Sequence, residues 1–138
     1  MWDDYFRHPD ALIVGIDVDI PAIKFPSRIR TIICNQNDSR GLNEMAEQYG
    51  PFDVVIDDGC HYRKETQNSF RILWPHVSAG GWYIIEDWAV GYWSDQPQYH
   101  GMVELVEELV QSAAVLGMSE ARLILEIGKA MAIYRKNH

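Results

Sequence analysis

The alternation of apolar and polar positions between Phe52 and Trp93 predicts a βαβ unit around which the rest of the chain is arranged. Short β-branched runs at 52–56 and 82–85 predict two strands. Residues 62–74 between them have the spacing of a helix, with Gly80 and Gly81 as its stop signal. A crossover of this length makes the two strands parallel, so we expect their carboxyl ends to lie at the same edge of a sheet.

Acidic residues follow both predicted strands. Asp57 and Asp58 come directly after the first, with His61 close behind, and Glu86 and Asp87 come directly after the second. Ligands of open α/β folds bind beyond the carboxyl ends of the strands. The pattern therefore indicates a site with four carboxylates and one imidazole. The alternative is that paired acids at strand ends only cap helices and bind water.

The chain before this unit predicts two further strands. Residues 2–6 have the composition of a last helical turn that ends before Pro9, 11–16 predict a buried strand, 21–27 predict a loop and 28–34 predict a strand. Asp17 follows the first of these strands. An acid at this position commonly binds ribose hydroxyls in nucleotide-binding folds, and an aspartate here can equally cap the turn that follows.

Four polar residues follow the strand predicted at 28–34. Gln36 is a plausible partner for the edge of a nucleotide base. Asp38 or Ser39 can cap the helix predicted at 40–49, and we favour Asp38 as the N-cap.

The C-terminal third predicts a helix and a hairpin. Residues 102–116 form the clearest amphipathic helix, after a polar loop at 94–101. The aromatic-rich segment 88–93 can wall a substrate pocket or cover the core. Two apolar runs joined at Gly128 and Lys129 predict a hairpin, which we favour over a displaced glycine-rich loop because further glycines are missing.

Composition narrows the class of protein. The 138 residues, of which 47% are hydrophobic, predict one domain spanning 1–138. The 12 basic and 20 acidic residues give a net charge of -8, which argues against nucleic acid and anionic membranes as partners. Cys34 and Cys60 lack the spacing of a zinc site or a disulfide framework, and no apolar run reaches the roughly 18 residues of a membrane span. We therefore expect a cytoplasmic setting.

Five segments carry a family resemblance: GIDVD, IICNQND, FDVVIDDGCH, SFRILWPHVSAGGWYIIEDW and MAIYRK. In this order and spacing they resemble the S-adenosylmethionine-dependent methyltransferases of the mycinamicin and macrocin sugar O-methyltransferase type, whose relatives are often labelled cephalosporin hydroxylases. The specific part of the resemblance is DDG-x-H followed by GG-x-Y-x-IED.

The resemblance implies an α/β fold with a Rossmann-like class I methyltransferase sheet and helices on both faces. It also implies that S-adenosylmethionine and Mg²⁺ are cofactors and that a hydroxyl of a small molecule, such as a natural-product sugar, is methylated. By resemblance, the metal ligands are Asp58, Glu86 and Asp87, the general base is His61, and the cofactor-binding residues are Asp17, Gln36 and Asp57. Oxygen ligands suit Mg²⁺, which lowers the pKa of a bound hydroxyl.

The chain also departs from the family pattern. Relatives carry a first strand and an E-x-G-x-x-x-G loop ahead of the region that matches residue 2. They also have an acidic residue at the position of Asn35. We therefore expect an incomplete sheet with two open edges. Three arrangements could close them: direct pairing of the two strands beside the gap, insertion of a segment such as LILEI, or a strand from a second copy. These solutions favour a homo-oligomer. The functional alternative is a catalytically inactive remnant that acts as a binding or oligomerisation module.

Overall fold

The computed structural model describes residues 2–93, 95–115, 121–126 and 131–136. The helices and strands follow the predicted order, and short 3-10 turns lie at Trp74–His76 and Pro97–Tyr99. The elements are α1 (Trp2–Tyr5), β1 (Ile13–Asp17), β2 (Ile29–Ile33), α2 (Ser39–Tyr49), β3 (Phe52–Asp57), α3 (Arg63–Leu73), β4 (Val77–Ile85), α4 (Val90–Trp93), α5 (Gly101–Val115), β5 (Ala121–Glu126) and β6 (Met131–Lys136).

The strands form two sheets. β1 and β2 pair in parallel, and the second sheet has the order β3-β4-β6-β5. β3 and β4 are parallel, as the βαβ pattern predicts, and β6 is antiparallel to both of its neighbours. The α/β class and the predicted terminal hairpin are thereby confirmed.

One core joins β4 to helices α2, α3 and α5. Its fully buried side chains include Leu42 of α2, Tyr83 and Ile85 of β4, and Met102 and Leu105 of α5. Burying large side chains of this kind stabilises a fold by about 1.5–3 kcal/mol each. The packing therefore fixes the sheet in which β3 and β4 carry acidic residues at their carboxyl ends.

The prediction of a buried strand at 11–16 is wrong about burial. The strand runs from Ile13 to Asp17, and its last three residues are exposed. Within the described chain, β1 pairs with β2 alone, so no second neighbour covers its other edge. The LILEI segment does not move to that edge, because its described residues lie in β5 and pair with β6.

The helix stop predicted at Gly80 and Gly81 is also wrong. α3 ends at Leu73, two residues before Pro75, and both glycines lie inside β4. The pairing of β4 with β3 is irregular at these glycines. Its register shifts between Phe52 and Val54 on β3, and Gly80 has a φ of 80°. A β-carbon on Gly81 would lie 2.9 Å from the carbonyl oxygen of Asp53. The glycines therefore permit close strand contact rather than ending a helix.

Two local predictions are close to the structure. The Asp38 carboxylate caps α2 by accepting a hydrogen bond from the Gly41 amide at 3.0 Å. α5 begins one residue earlier than predicted, and position 116 lies outside the described residues. Among the described helices, none combines the length and apolar character that crossing a membrane requires.

Candidate metal and cofactor site

The loops after β3 and β4 leave the sheet side by side. Asp57 is paired with Ile85 in the parallel ladder, and the Glu86 amide donates a hydrogen bond to the Asp57 carbonyl at 3.0 Å. This bond continues the ladder one residue past β4. The two acid-rich segments therefore meet at one edge of the sheet, where the sequence pattern placed them.

Three side chains from these loops form a cluster. One ligand atom from each of Asp58, His61 and Asp87 lies within 4.8 Å of the other two. Nε2 of His61 lies 3.7 Å from Oδ1 of Asp58, and the His61 side chain is 22% exposed. The arrangement offers two carboxylates and an imidazole to one small cation or to one polar ligand.

The backbone of the cluster is strained at two places. His61 has a φ of 56° and Asp87 a φ of 50°, and among the described residues they are the non-glycine positions with positive φ. Such conformations cost about 1–3 kcal/mol and persist where the surrounding structure enforces them. Both lie in the three-residue cluster, which supports a functional role for its geometry.

Glu86 lies beside this cluster without belonging to the group of three. Its pKa is raised, first by burial and then by the negative charges of Asp58 and Asp87, while His61 lowers it. Crowded carboxylates of this kind repel one another, and a divalent cation relieves that repulsion. Assignment of Glu86 as a metal ligand stays a prediction.

Asp57 is set apart from the other acids by burial. Its side chain is 9% exposed and accepts hydrogen bonds from Gln36, Ser69 and Tyr83. Burial raises the pKa of Asp57, and the bonds from Ser69 and Tyr83 act in the opposite direction. Sequence reasoning missed Ser69 and Tyr83, although a serine on the apolar face of a predicted helix is a signal for a buried polar contact.

Gln36 is joined to Asp57 in the structure, and both remain predicted cofactor-binding residues. Nε2 of Gln36 lies 2.7 Å from Oδ1 of Asp57, and its Oε1 accepts a bond from the Cys60 amide at 3.2 Å. Both ends of the Gln36 amide therefore already have partners within the protein.

Asp17 lies at the exposed end of β1 and is not part of the three-residue cluster. Its Oδ1 accepts a hydrogen bond from the Asp19 amide at 3.2 Å, so the turn interpretation of this residue is confirmed. Ribose binding by Asp17 stays a prediction.

The aromatic segment after Asp87 contains one side chain that packs against the core and one that is largely exposed. Trp88 packs against the core, beside the buried Ala89, and Tyr92 is 64% exposed. The ring centroids of Trp88 and Tyr92 lie 6.2 Å apart in an edge-to-face arrangement. Trp88 thus covers the core, while a role of the segment as the wall of a substrate pocket stays a prediction.

Sequence comparison finds sugar O-methyltransferases. The chain is 44% identical over 93 residues to demethylmacrocin O-methyltransferase of Streptomyces fradiae and 45% identical over 93 residues to mycinamicin VI 2''-O-methyltransferase of Micromonospora griseorubida. Each match covers 67% of this chain and 23% of the relative, so the chain spans about a quarter of the length of the curated relatives it matches. No family model matches the chain.

Structural comparison finds the same group. The MycE methyltransferase from the mycinamycin biosynthetic pathway, in complex with Mg and SAH, superposes with a TM-score of 0.81 and 33% identity over 99% of this chain and 39% of its own. A putative caffeoyl-CoA O-methyltransferase from Staphylococcus aureus, at 16% identity and a TM-score of 0.57, shares the fold. The chain is therefore homologous to a section of the sugar O-methyltransferases of the macrocin and mycinamicin type.

Proposed function

We propose that this chain provides the metal site and part of the methyl-donor site of an S-adenosylmethionine- and Mg²⁺-dependent O-methyltransferase. The acceptor is a hydroxyl of a small molecule such as a natural-product sugar. The observation that carries the proposal is the cluster of Asp58, His61 and Asp87 at the carboxyl edge of β3 and β4. Homology to sugar O-methyltransferases and to MycE, whose structure contains Mg and SAH, supports it.

The donor atoms in the cluster fit Mg²⁺. This ion prefers oxygen ligands and is usually held by a few carboxylates, with positions left for substrate and water. Asp58 and Asp87 belong to the cluster, and Glu86 lies beside it with its pKa raised partly by their charges. Bound Mg²⁺ would supply Lewis acidity that lowers the pKa of an acceptor hydroxyl. We assign Asp58, Glu86 and Asp87 as its ligands.

His61 is the proposed general base. An imidazole is a poorer ligand for Mg²⁺ than a carboxylate, and histidine side chains exchange protons near neutral pH. The His61 side chain is partly exposed and lies next to Asp58, so it can reach an acceptor held at the metal site. It would take the hydroxyl proton as the oxygen attacks the donor methyl group.

The proposed donor-binding residues are Asp17, Gln36 and Asp57. Asp17 presents an exposed carboxylate at the end of β1, suited to ribose hydroxyls. Gln36 and Asp57 are polar residues next to the loop that begins at Asp58, and they are hydrogen-bonded to each other.

Titration of Mn²⁺, followed by titration of S-adenosylmethionine with Mg²⁺, tests the proposal. We expect Asp58→Asn to weaken Mn²⁺ binding by about a hundredfold or more, because one charged ligand is lost. Asp53→Asn is the matched control, since Asp53 is an exposed acid of β3, the strand that precedes Asp58, and lies outside the cluster. Equal Mn²⁺ affinity of wild type and Asp58→Asn would refute the metal assignment.

A second candidate function is a non-catalytic binding or oligomerisation module. The observation that favours it is the set of exposed apolar side chains in residues 2–33, together with the edge of β1 that has no strand partner among the described residues. In this case the chain assembles with a second copy, and sedimentation equilibrium gives a mass that rises with concentration. Concentration-dependent assembly without binding of S-adenosylmethionine would select this candidate over the first.

A further inference from the structure

A buried polar network lies directly behind the loop that carries Asp58 and His61. Its members are Asp57 at the end of β3, Ser69 of α3, Tyr83 of β4 and Gln36 of the loop after β2. Tyr83 is fully buried and Ser69 is 4% exposed. Three separate segments of the chain therefore converge on the carboxylate of a fourth.

Three side-chain donors contact the Asp57 carboxylate. Oδ1 accepts from Nε2 of Gln36 at 2.7 Å, and Oδ2 accepts from the hydroxyls of Ser69 at 2.5 Å and Tyr83 at 2.9 Å. Nε2 of Gln36 also lies 3.1 Å from Oγ of Ser69. Rotation of the carboxylate would break these hydrogen bonds, so the network favours the observed rotamer.

Asp57 also decides which way the Gln36 amide faces. A carboxylate accepts hydrogen bonds and cannot donate them, so Gln36 must turn its NH₂ group toward Asp57. Its carbonyl oxygen then faces the Asp58–His61 loop, where it accepts from the Cys60 amide at 3.2 Å. The orientation of one side-chain amide thus follows from a buried charge on its far side.

Gly59 shows how closely Gln36 approaches the loop. A β-carbon at Gly59 would lie 2.4 Å from Oε1 of Gln36, so any side chain there would displace the amide. Cys60, which Gln36 holds, lies between Asp58 and the strained His61 in the sequence. The Asp57 carbonyl also accepts from the Glu86 amide, which ties the second acidic loop to the same residue.

We propose that Gln36, which contacts the loop directly, and Tyr83, which acts through Asp57, are positioning residues that hold the Asp58–His61 loop in the conformation that binds the metal. The inference rests on the proposed function and adds a role for residues that do not themselves bind the metal. Residues that orient metal ligands typically change metal affinity by about tenfold to a hundredfold when they are replaced. The loop conformation itself is measurable without any metal.

Two variants with matched controls test the network. Gln36→Leu removes the amide and Tyr83→Phe removes one buried hydroxyl. Gln48→Leu changes an exposed glutamine on α2. Thr66→Val removes a buried side-chain hydroxyl from α3 and keeps the Thr66 carbonyl, which accepts a hydrogen bond from Ser69. Thermal unfolding of all four identifies variants that fail to fold, and Tyr83→Phe keeps the aromatic ring in place.

The first readout is exchange of the Cys60 backbone amide, measured by NMR without metal. We expect exchange about tenfold faster or more in Gln36→Leu, and a smaller increase in Tyr83→Phe, with both controls at the wild-type rate. The second readout is Mn²⁺ affinity, which we expect to fall by about tenfold to a hundredfold in Gln36→Leu.

The outcomes separate this inference from the proposed function. If the Cys60 amide exchanges at the wild-type rate in both Gln36→Leu and Tyr83→Phe, the positioning role is overturned regardless of the Mn²⁺ affinity. Faster exchange with unchanged Mn²⁺ affinity overturns it too, because the network then serves the fold alone. Absence of Mn²⁺ binding by wild type overturns the proposed function, while Cys60 exchange still shows whether the network holds the loop.

Discussion

Residues 1–33 and residues 34–110 have similar patterns of apolar and polar positions. Their apolar side chains differ in how deeply they are buried. Each region contains an apolar strand with an acid at its carboxyl end, and polar loops connect the elements. Within the described chain, every buried apolar core residue follows position 33, whereas exposed large apolar side chains concentrate before position 34. Those exposed side chains are Trp2, Tyr5, Leu12, Ile16, Val18, Ile23, Phe25 and Ile33.

The difference lies in the number of neighbours each strand has. β4 lies between β3 and β6 and is covered by the core helices, whereas β1 has β2 as its described strand partner. A two-stranded sheet buries little surface on its own and is at best marginally stable. Equal hydrophobicity along a sequence therefore does not mean equal burial, and the acid at a strand end acquires its chemistry from what surrounds the strand.

The largest expected effect comes from truncating one leucine in each region. Leu42 is fully buried and Leu12 is 49% exposed. Leu42→Ala should lower the free energy of unfolding by about 2–5 kcal/mol, because it leaves a cavity, and Leu12→Ala by about 0.5 kcal/mol or less. Urea denaturation measures both. A large loss in Leu12→Ala would show that residues 2–33 are covered in solution, as assembly with a second copy would require.

Amide hydrogen exchange should show the next largest difference. Tyr83 and Ile85 lie in a strand with partners on both sides, so we expect their amides to exchange at least about a hundredfold more slowly than those of Gly15 and Asp17 in β1. NMR exchange at several protein concentrations is the measurement. Protection of β1 that grows with concentration would mean that another chain closes its open edge.

The βαβ unit was predictable from sequence because its information is local. Strand runs, a helix of regular spacing and acids at the strand ends were enough to bring Asp58 and Asp87 together. The exposure of Ile16 and the placement of Gly81 within β4 depend on which strands become neighbours, and a single sequence does not state that. The roles of Ser69 and Tyr83 depend on contacts between distant segments, so they emerged only in three dimensions.

The pH dependence of stability should distinguish the two strand-end acids Asp57 and Asp17. Burial raises the pKa of Asp57, so the folded state holds its proton more tightly than the unfolded chain does. Its contribution is then fully present below about pH 4 and is lost as the pH rises through the folded-state value. We expect the free energy of unfolding to fall less with rising pH in Asp57→Asn than in wild type.

Urea denaturation between about pH 4 and pH 7 measures this slope. Asp17→Asn is the matched control, because it changes an exposed acid at the end of a parallel strand in the other region. If Asp57→Asn kept the wild-type slope, burial of Asp57 would not be a source of the pH dependence.

The smallest expected effect concerns ion pairs, which should not differ between the regions. Nε of Arg28 lies 2.6 Å from Oδ1 of Asp3 in the first region, and Nη1 of Arg63 lies 2.5 Å from Oε2 of Glu104 in the second. Both pairs are partly exposed, so double-mutant cycles should give coupling energies of about 0.2–1 kcal/mol that shrink at high salt. A coupling several times larger for Arg28 and Asp3 would mean that charge, rather than apolar packing, holds residues 2–33 in place, and the contrast between the regions would need a different cause.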